Sequence, residues 1–152
     1  MKRIAAVMVI ALCLAGFSGF PAFAEDGEAM TSINAGVLQG IITEAGYSAE
    51  QQKENVLKVK MGEVTVLFFV SDNLQSIQAY AGFKGGDASL KNINEWNKNK
   101  RYSRAYKDND GDAVVELDLD LEGGVSRSRI VNFIQTVALS AKVFREHIFG
   151  AN

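Results

Sequence analysis

Past residue 24 this chain has neither cysteine nor proline; Cys13 and Pro21 are the only ones it contains. Without cysteine, the body of the chain can form no internal disulfide, offers no thiol nucleophile and builds no thiolate metal site. Histidine is reduced to His147, so no histidine pair is available for catalysis or metal binding. Basic residues are also short. Setting aside Lys2 and Arg3 leaves 14 of the 16 against 18 acids, a net charge near −4. That excess of acid argues against nucleic acid as the main partner, because phosphate binding needs a net basic face. Stability has to come from packing.

What the first residues do have is a targeting pattern. Lys2 and Arg3 precede an apolar run from Ile4 to Phe20, and Pro21 leads into Ala22-Phe23-Ala24, a small-x-small cleavage signal. Residues 1–24 therefore read as a signal peptide cut after Ala24, which places the product in the periplasm or outside the cell, with no membrane attachment after cleavage. An uncleaved anchor is the competing reading. Cys13 lies inside the run after Leu12, so it is no lipoprotein site. Residues 25–31 read as a flexible arm, and residues 32–149 as one domain.

Within that domain, Thr31 or Ser32 is the expected cap of a first helix, with a stripe of Ile33, Val37 and Ile41 widened by Leu38 and Ile42, ending at Gly46. Three strands follow. Leu57, Val59 and Met61 alternate with lysines; Val64 to Val70 is apolar almost throughout; Ile77, Ala79, Ala81 and Phe83 alternate again. A short helix spans Ser89 to about Lys100. Tyr102–Tyr106 and Ala113–Leu121 form a hairpin, and a last helix from Ser126 carries the stripe Ile130, Ile134, Val137, Ala141, Phe144, Ile148. The order α-β-β-β-α-β-β-α predicts an α+β domain: a mainly antiparallel five-stranded sheet with helices packed on one face.

The wording between Asn94 and Ser126 is distinctive: Trp96-Asn97 at a helix end, Arg101-Tyr102-Ser103-Arg104-Ala105, the turn at Asp110 to Asp112, and Gly123-Gly124-Val125-Ser126. It resembles the YbjN domain family, over roughly Ser32 to Phe149. The resemblance implies a fold similar to the type III secretion chaperones, commonly dimeric, and a role in bacterial sensory transduction regulation. It supplies no catalytic residues and no cofactor.

If the acidic turn closes symmetrically, Arg104 faces Glu116, Ala105 faces Val115 and Lys107 faces Ala113. One face then gathers Tyr80, Tyr102, Arg104, Tyr106, Glu116 and Asp118, with either Leu67 and Phe69 or Val66 and Phe68. That is a candidate surface for a protein partner or for a homodimer, unless a helix or the N-terminal arm covers it. A second candidate is an anion site at Gly123, Gly124, Ser126, Arg127 and Arg129, read against an ordinary turn and N-cap. A third is a shallow cation site at Asp108, Asp110 and Asp112. The loop fails the EF-hand pattern, since glycine stands fourth and Leu119 occupies the chelating twelfth place, so a hairpin loop is the simpler reading. His147 reads as a complement to its helix dipole and Trp96 as a core anchor. No nucleophile–base set stands out. The expectation is an exported, non-enzymatic binding protein of the envelope without cofactor or metal; the alternatives are a small-ligand or ion sensor and, further off, a hydrolase.

Overall fold

The computed structural model of the chain describes residues 28–150; the expected signal peptide and its cleavage site lie outside the described residues. Nine elements follow in order: α1 (Ala35–Glu44), β1 (Ser48–Lys53), β2 (Val56–Met61), β3 (Val64–Val70), β4 (Ser76–Phe83), α2 (Leu90–Asn99), β5 (Arg104–Lys107), β6 (Ala113–Asp120) and α3 (Arg127–Phe149). The strands make one sheet in the order β1-β2-β3-β4-β6-β5, every neighbouring pair antiparallel. The expected α+β architecture holds, with six strands where five were expected.

The extra strand is β1, reading Ser-Ala-Glu-Gln-Gln-Lys. It escapes the alternation test because it is an edge strand that buries little: only Ala49, facing Val59, packs against the core. Its outer backbone is partly tied down by α1, where Gln39 Nε2 donates to the Ala49 carbonyl at 2.9 Å.

The start of α1 also differs. Asn34 caps it, accepting the Val37 N–H at 2.9 Å, in place of Thr31 or Ser32. The cause is Ile33, which is buried and donates its N–H to the Leu74 carbonyl at 2.8 Å, so the chain is extended there and turns helical only afterwards. The helix is rotated accordingly. Ala35, Leu38, Ile41 and Ile42 face inward, whereas Val37 is 46% exposed. Ahead of α1, Met30 exchanges two backbone hydrogen bonds with Val125, at 2.8 and 3.0 Å.

All three helices lie on one face of the sheet: α1 over β1 and β2, α3 over β3, β4 and β6, α2 beside β5. The core sits between, where alternate residues Leu57, Phe68, Ala79 and Leu117 line up across four strands beneath Phe133, Ile134 and Val137 of α3. Trp96 is the expected anchor, 2% exposed, with its ring 4.9 Å from Phe144 and its Nε1–H donated to Ser103 Oγ at 3.1 Å. His147 joins two helices as well as ending one. Its Nε2 lies 2.9 Å from the Asn92 carbonyl of α2, and its ring lies 5.6 Å from Trp96.

Candidate functional site

With the helices on one side, the other side of the sheet is left without a helix among the described residues. Its side chains form rows across the strands. The longest row is Glu50, Lys58, Leu67, Tyr80, Glu116, Arg104, one residue from each strand in spatial order. Beside it run Val56, Phe69, Gln78 and Asp118, where Gln78 Nε2 donates to Asp118 Oδ1 at 3.1 Å, and on the other side Gly82, Val114 and Tyr106. Leu67 and Phe69 belong to this face; Val66 and Phe68 point into the core. Leu67, Phe69, Tyr80 and Tyr106 are each half-buried.

The β5–β6 register is the one expected from the acidic turn: Arg104 opposite Glu116, Ala105 opposite Val115, Lys107 opposite Ala113. Its consequence is larger than an exposed ion pair. Glu116 is only 5% exposed, and both carboxylate oxygens are engaged. Tyr106 Oη donates to Oε1 at 2.7 Å; Arg104 donates to Oε2 through Nε at 2.7 Å and Nη2 at 2.6 Å. The carboxylate is thus satisfied by a phenol and a guanidinium that shields it from water. Val114, next to Tyr106 in the row, is fully buried yet separate from the helix-side core. It gives the open face a small apolar centre of its own. Burial, with the hydrogen bond to Glu116 and then its charge, pushes the Tyr106 phenol up to about 12.

Tyr80 lies along the sheet over Gly82, where a Cβ would come within 2.9 Å of its Oη. Only glycine leaves that notch open. The phenol edges a shallow depression lined also by Thr65, Lys84, Asp108, Asp110 and Asp112. Burial raises its pKa, and the negative charges of Asp108, Glu116, Asp112 and Asp110 add to the effect.

Tyr102 is a correction. It does not share the face with Tyr80 and Tyr106, because β5 begins only at Arg104. Tyr102 adopts φ 66° and is 78% exposed. The chain must leave the end of α2 and bring Ser103 to the Trp96 indole, and Tyr102 takes up that reversal in a left-handed conformation. It ends beside Asp118, Arg129 and Asn132, at the margin where β6 outruns β5.

The remaining candidates are largely occupied with local structure. Asp108 Oδ1 accepts the Asp110 and Asp112 N–H groups at 3.0 and 2.8 Å, closing the hairpin loop. Among the described residues no group of three acids, histidines or cysteines is arranged to hold a metal ion. At the start of α3, Ser126 Oγ accepts the Arg129 N–H at 3.2 Å, as an N-cap does. Gly123 and Gly124 turn with φ of 80° and 91°. Arg127 reaches away to pair with Glu44 of α1, while Arg129 leans on Asn132. The two arginines do not converge on the turn.

Two contributors to this face have no marked sequence signal. Asn97, on α2, holds β5 from its outer side through both side-chain amide atoms. Gly82 looks like an ordinary strand residue until Tyr80 is seen to lie over it. A polar residue at a helix end and a glycine inside a strand are the only hints.

One solved structure agrees with this architecture. A solved structure described as YbjN, a putative transcription regulator from E. coli, superposes with a TM-score of 0.58 at 16% identity, covering 78% of this chain and 96% of that one. A chain of the ExoT–SpcS complex from Pseudomonas aeruginosa gives a TM-score of 0.49 at 14% identity, covering 62% of this chain and 81% of that one. No curated protein matches the sequence. Among the described residues no helix is long and apolar enough to cross a membrane. The sequence profile of one family, described as "putative bacterial sensory transduction regulator", matches residues 34–150, and the chain belongs to that family, YbjN.

Proposed function

We propose that this chain is an exported, non-enzymatic binding module of the bacterial cell envelope that acts by docking another protein on its open sheet face. One observation carries the reading. The helices stand on one side of the sheet, and the other side presents half-buried Leu67, Phe69, Tyr80 and Tyr106 around a satisfied Glu116–Arg104 pair. Aromatic and aliphatic side chains next to an ordered arginine are the residue types that dominate protein interfaces. The carboxylate that might have been a general base is closed off by two donors. Export rests on Lys2, Arg3, the Ile4–Phe20 run and the Ala22-Phe23-Ala24 signal. The family description supports a regulatory task; on this reading the task is carried out by capture of a partner, with a homodimer as the working unit.

The test is capture from the envelope fraction with wild type, Leu67→Asp and Leu139→Asp. Leu139 is 64% exposed on α3, on the helix side. Partners should be lost with Leu67→Asp and kept with Leu139→Asp. Equal capture by all three would remove the open face from the argument. The N-terminus of the exported product should be Glu25; a product retaining Lys2 and Arg3 would refute cleavage.

A further inference from the structure

We propose that the outer edge of β6, where it outruns β5, accepts an extended segment of a partner protein as a further strand, and that this segment reads basic–apolar–basic opposite Asp118, Leu119 and Asp120. The site is a sheet edge, separate from the open sheet face, and does not depend on what that face binds.

The phase of the backbone hydrogen bonds carries the inference. Asn97 takes both main-chain polar groups of Ala105, so those groups point away from β6. Direction alternates along an antiparallel strand. Arg104 and Tyr106 therefore point their N–H and C=O groups at β6, and Glu116 and Val114 opposite them point back at β5. The other side of β6 agrees: the Leu121 N–H donates to the Gln75 carbonyl at 2.8 Å, so odd-numbered positions bond toward β4. Asp118 and Asp120 consequently turn their N–H groups and carbonyls toward the line of β5. That strand begins only at Arg104, and Tyr102 has already turned off with φ 66°. Among the described residues no backbone group meets Asp118 or Asp120 on that side. The outermost strands are guarded differently: Asn97 covers β5, and Gln39 takes the Ala49 carbonyl of β1. Uncovered edge groups are a template for a strand from another chain.

The surroundings set what the added strand carries. Residues opposite each other in a ladder share a face, so those opposite Asp118 and Asp120 stand beside two exposed carboxylates, with exposed Glu122 next in line. Lysine or arginine suits both places, as Arg104 already does opposite Glu116 one step along. The residue between them, opposite Leu119, turns to the helix side of the sheet. There a groove of about 570 Å³ runs between β6 and α3, with buried Leu117 and Phe133 beneath it and Asn132 and Thr136 on the helix. Arg129 also lines it, so the middle residue is apolar and not basic. Tyr102, 78% exposed, stands at the margin of the same groove.

The test is residue-resolved amide hydrogen exchange on protein expressed from the full-length sequence. The probes are the peptide acetyl-Lys-Val-Lys-Val-Lys-amide and its counterpart with glutamate in place of lysine. Without peptide, Asp118 and Asp120 should exchange fast, and Leu117 and Leu119, bonded to β4, slowly. Equal protection of all four would show a covered edge and overturn the proposal. With the lysine peptide at about ten times its dissociation constant, exchange at Asp118 and Asp120 should slow roughly 10-fold by mass action. The glutamate peptide should slow it far less. No slowing up to millimolar peptide, or equal slowing by both peptides, overturns the proposal. Asp118→Pro removes one outward donor and spares the ladder to β4, a change that edge strands tolerate. It should abolish the effect of the peptide at Asp120; an undiminished effect rules out strand addition. Should that variant fail to fold, Asp118→Lys/Asp120→Lys, at two exposed side chains, decides: it must reverse the preference between the peptides. An unreversed preference overturns the assigned chemistry. Because the peptide is read at the edge itself, its failure leaves the open face untouched, and failed capture through Leu67 leaves this edge standing.

Discussion

Asn97 and Ala105 are joined by two hydrogen bonds: the Ala105 N–H donates to Asn97 Oδ1 at 2.8 Å, and Asn97 Nδ2 donates to the Ala105 carbonyl at 2.9 Å. A side-chain amide here stands in for the next strand. It satisfies the outward backbone groups of edge strand β5 and denies them to another chain, which is how sheets avoid unwanted pairing. Gln39 does half of the same work at the opposite edge, on the Ala49 carbonyl. Asn97→Leu should therefore destabilise the domain by about 1–3 kcal/mol, the cost of losing two hydrogen bonds and leaving edge groups unpaired. It should also speed hydrogen exchange at the Ala105 amide far more than in β3. Unchanged exchange at Ala105 would mean that Asn97 is dispensable to the edge.

Part of this arrangement was legible in the sequence. The β5–β6 register could be read on the condition that the five-residue acidic turn closes symmetrically, since one paired residue then sets every other. The α3 stripe was legible because it is buried along its length. The failures share a cause. β1 has no alternation because a sheet edge buries almost nothing, the Val37 stripe goes with a helix start two or three residues too early, and Tyr102 reads as a strand residue because Trp96's need for Ser103 Oγ leaves no mark in local pattern. Tertiary contacts chose among conformations that the local residues allow equally. The open face lay between these cases. Its membership follows from period two, but the choice of Leu67 over Val66 needed the helices to be placed.

Alkaline pH offers a readout of the Tyr106–Glu116 contact. The folded phenol titrates at about 12 against 10.0 for a free tyrosine. The raised value means that the folded state holds this proton more tightly than the unfolded chain does. The stabilisation is complete below pH 10 and is lost as pH rises from about 10 to about 12. Tyr80, also raised, pushes in the same direction. Urea midpoints should fall across that window in wild type and fall less steeply in Tyr106→Phe. Parallel curves would show that the phenol proton is not linked to folding.

Gly86 reports on the packing of α3 against the loop before α2. A Cβ added there would lie 2.6 Å from Ile148 Cδ1 and 3.3 Å from its Cβ. Ile148 is buried, and its carbonyl also accepts the Asp87 N–H at 2.9 Å, so neither partner can simply move aside. Gly86→Ala should cost about 1–3 kcal/mol, the usual range for overpacking. Trimming the opposing side chain, in Gly86→Ala/Ile148→Val, should recover part of the loss. A single variant as stable as wild type would show that the loop yields freely.

Arg104 and Glu116 make an unequal pair, and the inequality predicts how each responds to removal. The arginine side chain is 64% exposed and the glutamate side chain 6%. Deleting the arginine leaves a buried carboxylate with one donor, Tyr106, and no countercharge. Deleting the carboxylate leaves a guanidinium already in water and a phenol that has lost its acceptor. Arg104→Ala should therefore cost more than surface salt bridges do, about 1–2 kcal/mol, whereas Glu116→Gln, which can turn its one amide oxygen to Arg104 and donate its NH2 to the Tyr106 hydroxyl, should cost about 1 kcal/mol or less. In the double variant the two losses should not add. A coupling of about 0.5–1 kcal/mol by double-mutant cycle is expected, because once the charge is gone the arginine has little left to neutralise. Strict additivity in urea denaturation would mean that the contact is geometric only. The carboxylate would then be held by Tyr106 and by burial beneath its neighbours, with Arg104 free to serve a partner on the face.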